Sequence, residues 1–526
     1  MLYRKGGQGR QKGFRSLVFI LSGACLLLGS CVEGNHEPTE AELSAFGEYV
    51  YQLDTLQLEH QLDSLLKTDS AVWEGDKVLK ERYASIDKFE GKPLWFSRMG
   101  VVSDADSVLL FLRQELQRNG LDSTAFFVPQ IAEDLNIVHH LSFDSLGVSI
   151  NEVLPRLDYH LSKAYVRYTS GQRYGFVRPD RLLNRMDFKP KGGYARLIDY
   201  DIEAPNYQEA LEKLSADSRA KMDYLTTSQP TGRLYRVLQN QLDKTTDNEA
   251  RQRLAVNMER CRWKMKQPDE NGRKVLVNIP SLQLWAVGGD TVLNMRIVCG
   301  AKATKTPMLH SEIRYMQVNP EWLIPKNIID NEVAHHGGDS AYFAKRRYYI
   351  VDRSTGDTLN PANVGPSLLK SGKLRVGQKG GSGNSLGRIV FRFPNDFDVY
   401  LHDTSNRGAF NSDHRTLSHG CVRVQKPFDL ACFLLPNADE WLKDRIRISM
   451  DMSPLTDRGR EYLRSHANDP RPLRAITYQE VSPRVPVYII YYTVYPNPAT
   501  GVVETWPDLY GYDKVIGRAG APFLFH

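Results

Sequence analysis

The chain has 526 residues, is 41% hydrophobic and 10% aromatic, and carries a formal net charge of +6. That suits a soluble globular protein of about three domains, at ~150 residues each, with a sizeable core. Arg4, Lys5, Arg10, Lys12 and Arg15 open the chain with no acid among them, and the remainder carries only +1, so net charge gives no basis for a nucleic-acid partner.

The basic start runs into a mostly apolar stretch, Leu17 to Leu28, broken only by Ser22 and Gly23. It is shorter than the ~20 residues a membrane-spanning helix needs, and it has the layout of a secretory signal peptide over residues 1–30. Leu28-Gly29-Ser30-Cys31 follows and resembles the lipobox of bacterial lipoproteins. The resemblance implies cleavage before Cys31, lipidation of that cysteine, and a chain tethered by residues 31–41 to the periplasmic side of a bacterial membrane. The competing reading is an ordinary cleavage site with an incidental cysteine.

Residues 42–190 read as a helical domain. Val108, Leu109, Leu112 and Leu116 recur at helical spacing before Asn119-Gly120, a C-cap signal. Pro155 to Tyr168 repeats the pattern, with the proline in a first turn. Residues 191–270 read as a helical connection, with Glu209 to Ala220 unbroken. From Lys274 the pattern changes to strands: 274–280, 282–287 and 291–298, the last two joined by a turn at Gly288-Gly289-Asp290. The β-rich domain then spans 271–526, with an insertion at about 325–381 that reads as a capping segment. The Gly-rich loop 377–387 reads as mobile. The fold class is therefore α+β: a helical scaffold followed by a β-rich domain.

Of the six cysteines, Cys25 falls in the leader. Cys432 lies in an apolar stretch and reads as a buried thiol, and a Cys261–Cys299 bridge stays open. Cys421 is different. It sits in Ser418-His419-Gly420-Cys421-Val422-Arg423, nineteen positions after the His402 of Tyr400-Leu401-His402-Asp403-Thr404. Arg388 to Phe393 alternates and turns at Pro394-Asn395-Asp396, and the returning segment puts Val399 and Leu401 on a core face. Tyr400 and His402 share the other face, which directs His402 out of the core. Gly420 permits backbone angles closed to other residues. A thiol here, near cationic groups, has its pKa drawn down from ~8.5, and an imidazole upstream can serve as its base.

The pair alone is a weak signal, but the whole string is specific. The Asn384-Ser385-Leu386-Gly387 loop, His402, the Ser-His-Gly-Cys tetrad and the hydrophobic-Arg pair after it fall in the order of the YkuD-type L,D-transpeptidases that cross-link bacterial peptidoglycan. Asn319-Pro320-Glu321-Trp322-Leu323-Ile324-Pro325, Leu254 to Arg260 and Asp508-Leu509-Tyr510-Gly511 resemble the long, YcbB-like branch. Leu94-Trp95 and Gly120-Leu121-Asp122 are similar to the scaffold domain of its members. Many relatives have Asn where this chain has Arg423.

The resemblance implies a substrate and roles. The substrate is a peptidoglycan tetrapeptide stem, attacked at the L-centre of its diamino acid with release of the terminal D-alanine. The thioester then passes to a side-chain amine on a neighbouring stem, or to water as in an L,D-carboxypeptidase. Cys421 is the nucleophile and His402 the base. The N–H groups of Gly420 and Cys421 are the candidate oxyanion hole, and His419 is supporting. Ser418 and Arg423 order the loop or bind a carboxylate. Asn384 is placed at the substrate, Tyr400 either lines the pocket or braces its strand, and Asp403 is a candidate to orient His402. No cofactor or metal is implied.

Two rivals remain. A zinc hydrolase could use His402, Asp403, His414, His419 and Cys421, though no two of these histidines stand at the four-residue helical spacing. A degenerate member could bind peptidoglycan without turnover.

Overall fold

The structure, a computed structural model, describes residues 52–85, 93–97, 100–189, 192–266, 268–269, 271–470 and 473–525. The leader, the tether and Cys31 lie outside them. The described residues group into two units: one of residues up to 173 with 205–229 and 525, the other of 174–204 with 230–524.

The first unit is helical. Its longest helix, Ile150–Tyr174, starts five residues before the expected proline, so Pro155 sits inside it. Leu154, Leu157, Leu161, Ala164, Tyr165 and Tyr168 are fully buried along it. Asp158 on this helix accepts from the N–H groups of Leu94 (2.7 Å) and Trp95 (2.8 Å) and from the Tyr83 hydroxyl (2.6 Å). That gives the Leu94-Trp95 pair a structural reason. The unbroken helix expected over 209–220 is two, Tyr207–Leu214 and Ser218–Thr227. Asp217 ends the first run by capping the second, its carboxylate accepting from Ala220 N–H at 2.9 Å. The helices of the 191–270 stretch divide between the units.

In the second unit the strands of the barrel and of the insertion, with one short strand beside them, are in chain order β1 (Lys274–Asn278), β2 (Gln283–Gly288), β3 (Thr291–Gly300), β4 (Met308–Val318), β5 (Trp322–Leu323), β6 (Tyr348–Asp352), β7 (Thr358–Leu359), β8 (Leu374–Gln378), β9 (Ile389–Arg392), β10 (Leu401–His402), β11 (Thr416–Ser418), β12 (Val422–Val424) and β13 (Tyr478–Ile490), and the short strands Ile198–Asp199, Val494–Pro496 and Val503–Thr505 lie outside this set. Eight of these close on themselves in the order β4-β13-β1-β2-β3-β12-β10-β9, because β9 pairs with β10 on one side and with β4 on the other. Closure leaves the ring without an exposed edge. Both faces of β1 are buried. Leu276 packs with Trp285, Tyr488 and Ile490, while Val275 and Val277, which alternate with it, are equally inaccessible. The helices Arg233–Asp243 and Asn248–Arg262 contribute Tyr235, Leu238, Leu254 and Met258 to one cluster with Val494. Among the described residues no helix is long and apolar enough to cross a membrane.

The insertion is a folded subdomain. β5, β6, β7 and β8 form their own sheet, over a core that includes Ile328, Val333, Phe343, Ile350, Leu369 and Val376. The Gly-rich loop that returns the chain to the barrel is pinned. Gln378 Nε2 donates to the Gly383 carbonyl (3.2 Å) and its Oε1 accepts from Ser385 N–H (2.9 Å). Arg347 donates to the Ser382 carbonyl at 2.6 Å. Glycine content suggested mobility, and these side-chain bonds replace it with a fixed path.

Candidate active site

The site grows from one hairpin and one parallel strand. β9 and β10 are antiparallel, with Val390 opposite His402 and Phe391 opposite Leu401. Asn395 shapes their connection, accepting from the N–H groups of Phe397 (3.0 Å) and Val399 (3.1 Å). β12 then lies parallel to β10, pairing Leu401 with Val422 and His402 with Arg423. One residue back in the same register, Tyr400 stands beside Cys421, and the Tyr400 carbonyl accepts from Val422 N–H at 3.1 Å. Alternation along each strand puts Tyr400, His402, Cys421 and Arg423 on one face.

The turn before β12 is built to present the thiol. Ser418 Oγ accepts from Gly420 N–H (3.2 Å) and donates to the Cys421 carbonyl (2.5 Å). The Thr306 hydroxyl donates to the Gly420 carbonyl and accepts from Gly300 N–H, both at 2.8 Å. The Thr304 hydroxyl donates to the Ser418 carbonyl at 2.9 Å. Gly420 has φ +120°, and a Cβ there would come no closer than 3.9 Å to any neighbour, so backbone conformation rather than space requires glycine.

Cys421 is partly exposed. Its thiol donates to the Asp398 carbonyl at 3.6 Å, and Tyr400 stands beside it on the neighbouring strand. Burial pushes the thiol pKa up, against the pull of Tyr400 and of the nearby Arg392 and Arg423 charges. His402 is buried, 4% exposed, and its Nδ1 has no hydrogen-bond partner. Burial first, and then the Arg423 charge, take its pKa down to about 3. At neutral pH the site therefore holds a neutral thiol and a neutral imidazole. The capping subdomain reaches this site twice. Trp322 on β5 is near enough to Tyr400 to draw its pKa down against burial, and Glu332 pairs with His419 at 2.7 Å.

Residues 272–448 match the YkuD L,D-transpeptidase catalytic domain, and residues 79–242 match the Scaffold domain. The chain therefore carries a YkuD L,D-transpeptidase catalytic domain together with a Scaffold domain. A Haemophilus influenzae protein named, provisionally, as an L,D-transpeptidase is 30% identical over 329 residues. The shared stretch spans 61% of this chain and 61% of that relative.

Several expected placements change. His402 shares its face with Tyr400, their rings 5.6 Å apart, but that face is covered and no hydrogen bond joins the imidazole to the thiol. The thiol pKa moves up rather than down, because burial outweighs the two guanidinium charges. Gly420 N–H is taken by Ser418, which leaves Cys421 N–H as the loop's candidate oxyanion donor. Asn384 is fully buried and is a fastener, not a substrate contact. Its amide donates to the Lys379 carbonyl at 3.1 Å and its oxygen accepts from Leu386 N–H at 2.8 Å. Asp403 faces Arg388 N–H and the Arg407 guanidinium, both at 2.9 Å, rather than His402. Among the described residues no three His, Cys, Asp or Glu side chains converge as metal ligands. Cys261 and Cys299 are both free thiols, and Cys432 is half-buried.

Arg392, Trp322, Thr304 and Thr306 belong to the site and had no role in the sequence reading. Arg392 was within reach: alternation over 388–393 puts it opposite Ile389 and Phe391, and the hairpin register puts it beside Tyr400. The two threonines carried no local signal, since the Ser418 and Gly420 carbonyls that they hold lie 114 residues away.

Proposed function

We propose that the protein is a lipid-anchored peptidoglycan L,D-transpeptidase of the bacterial cell envelope. The observation that supports this most is the placement of Cys421. A partly exposed thiol sits at the tip of β12 in a loop tied by Ser418, Thr304 and Thr306, beside a tyrosine hydroxyl and next to the strand that ends in His402. On substrate binding the thiol leaves the Asp398 carbonyl and gives its proton to the neutral His402. The sulfur attacks the carbonyl at the L-centre of the stem's diamino acid. The S–C bond forms, the C–N bond to D-alanine breaks, and the amine leaves with the proton that His402 returns. Cys421 N–H and the Tyr400 hydroxyl are placed to receive the developing oxyanion. A side-chain amine of a second stem then takes the acyl group, and water in its place gives carboxypeptidase activity.

The test uses the protein without its leader and a tetrapeptide stem. Release of D-alanine and an acyl adduct on Cys421 by mass spectrometry are expected, and Cys421→Ala should give neither. Equal D-alanine release by the two forms would refute the reading. Fractionation of a Cys31→Ser variant tests the anchor, which fails if membrane association persists.

A further inference from the structure

A hairpin outside the barrel carries two aromatic rings into solvent. Phe188 and Tyr194 face each other across an antiparallel bridge, and beside it Ala195 N–H donates to the Asp187 carbonyl at 2.8 Å. Phe188 is 68% and Tyr194 49% exposed, and their rings meet edge to face with centroids 5.7 Å apart. Among the described residues no other touching pair of aromatic rings leaves both partners exposed. Rings held together in water contribute nothing to a core, and exposed apolar surface of this kind marks a place where something binds.

The hairpin is fixed, and it is fixed to the loops that present Cys421. At its base the Asn184 side chain accepts from the N–H groups of Leu197 (2.6 Å) and Ile198 (3.1 Å), and the short strand Ile198–Asp199 pairs with β4 at Met308 and Leu309. One leg carries Asp187, which pairs with the Lys305 ammonium. The carbonyl of that same lysine lies 3.9 Å from where a Cβ on Gly420 would stand. The other leg carries Arg196, which pairs with Asp396 at 3.0 Å and lies over the Phe397 ring, 5.4 Å from its centroid. Asp396 and Phe397 immediately precede Asp398, whose carbonyl accepts from the thiol. Both loops around the sulfur are thus tied to the legs of the hairpin, and Phe188 follows Asp187 directly in the chain.

We propose that Phe188 and Tyr194 form a platform for a sugar, and that its occupant is an N-acetylated hexosamine of the glycan to which the donor stem is attached. This rests on the transpeptidase reading above and adds the part of the substrate beyond the peptide. The C–H groups of a pyranose make an apolar face about as wide as an aromatic ring, with the hydroxyls around its rim. Such a sugar packs on one ring with the second ring as a side wall, and its hydroxyls stay in water. The edge-to-face pair is set before a ligand arrives, so binding orders little that was loose. The attacked residue is the third of four, so three extended residues, about 10 Å, separate its carbonyl from the sugar. The hairpin stands off the nucleophile loop by one lysine, from carbonyl to ammonium, a separation on the same scale. A lipid surface would need no ties to the catalytic loops, and those ties favour the glycan.

The experiment offers two donors to the protein without its leader: a free tetrapeptide stem, and the same stem joined to an N-acetylated disaccharide. KM and kcat for D-alanine release are read for each. The measured quantity is the ratio of the two KM values, from which a general loss of active protein cancels. Wild type should show a KM about tenfold lower for the sugar-bearing donor with a similar kcat, because the sugar is held equally before and during the reaction. The double variant Phe188→Ala, Tyr194→Ala should bring the two KM values within about twofold, and Tyr194→Phe, which keeps the ring, should retain the wild-type ratio. A wild-type enzyme indifferent to the sugar, or a double variant with an undiminished ratio, overturns the inference while leaving the thioester chemistry intact. An undiminished ratio joined to lost binding of anionic phospholipid vesicles overturns it in favour of a membrane contact. Absence of any adduct on Cys421 overturns the transpeptidase reading itself, and the sugar platform with it.

Discussion

Tyr400 and Cys421 stand side by side on parallel strands, close enough that each shifts the other's pKa. Burial, and then the neighbouring cysteine, push the tyrosine pKa up, so the hydroxyl keeps its proton. The Trp322 indole of the capping subdomain opposes that rise. The side chain next to the sulfur across the strands is thus a tyrosine, and the histidine lies two residues further along the same strand.

Tyr400→Phe removes one donor to the thiolate and leaves the ring under Arg392. The thiol pKa should rise further. Thioester formation should slow about ten- to a hundredfold, as for loss of a hydrogen bond to a charged group. The pH dependence of Cys421 alkylation reads the first effect and D-alanine release reads the second. An unchanged alkylation midpoint would remove the tyrosine from the chemistry.

The histidine makes a separate prediction about pH. With its pKa near 3, His402 is already neutral well below pH 6.5, so thioester formation should show no inflection near that value. Arg423→Gln removes part of the field that holds the imidazole neutral, and the acid limb should move upward in pH. The stability effect has a definite sign. Between pH 6.5 and about 3 the unfolded chain binds a proton at this residue that the folded chain refuses. The protein therefore loses stability as pH falls through that window, by at most about 1.4 kcal/mol per pH unit. His402→Gln should lose less melting temperature than wild type between pH 6.5 and 4.5.

How far the site could be read in advance depended on the range of each interaction. Strand alternation is local, so the hairpin of β9 and β10 and the shared face of Tyr400 and His402 were both legible. Burial is not local. His402 looked exposed because the covering of its face is contributed by distant segments. Asn384 looked available because its amide meets backbone carbonyls, those of Gln378 and Lys379 in the same loop and that of Pro320 64 residues away, and a carbonyl leaves no mark in the sequence. Closure of the barrel is carried by the pairing of β9 with β4, 71 residues apart at Val318 and Ile389, and no local periodicity encodes it.

Thr306 offers a test of the loop that presents the sulfur. Its side chain is fully buried and joins the Gly420 carbonyl to Gly300 N–H. Thr306→Val keeps the shape and leaves both backbone groups without a partner, at a cost of about 1–3 kcal/mol each. Thermal melting should show the loss of stability, and D-alanine release a fall larger than Thr304→Val produces. The Thr304 hydroxyl shares its acceptor, the Ser418 carbonyl, with Ala301 N–H at 2.8 Å, so that carbonyl stays bonded when the hydroxyl is removed.

The capping subdomain has its own sheet and core, so it can be loosened without unfolding the barrel. Phe343 is fully buried in that core, and Phe343→Ala should cost about 3–5 kcal/mol locally. Limited proteolysis should then cut within 326–370 while the barrel strands remain protected. D-alanine release should drop, because the cap supplies Trp322 to Tyr400 and Glu332 to His419. Glu332→Gln separates the two contributions. That ion pair is about half exposed on both sides, so its loss should cost less than about 1 kcal/mol and leave the cap resistant to protease. If Phe343→Ala is cleaved in the cap yet releases D-alanine at the wild-type rate, the cap is no part of the active site, and Trp322 has no bearing on the tyrosine that meets the sulfur.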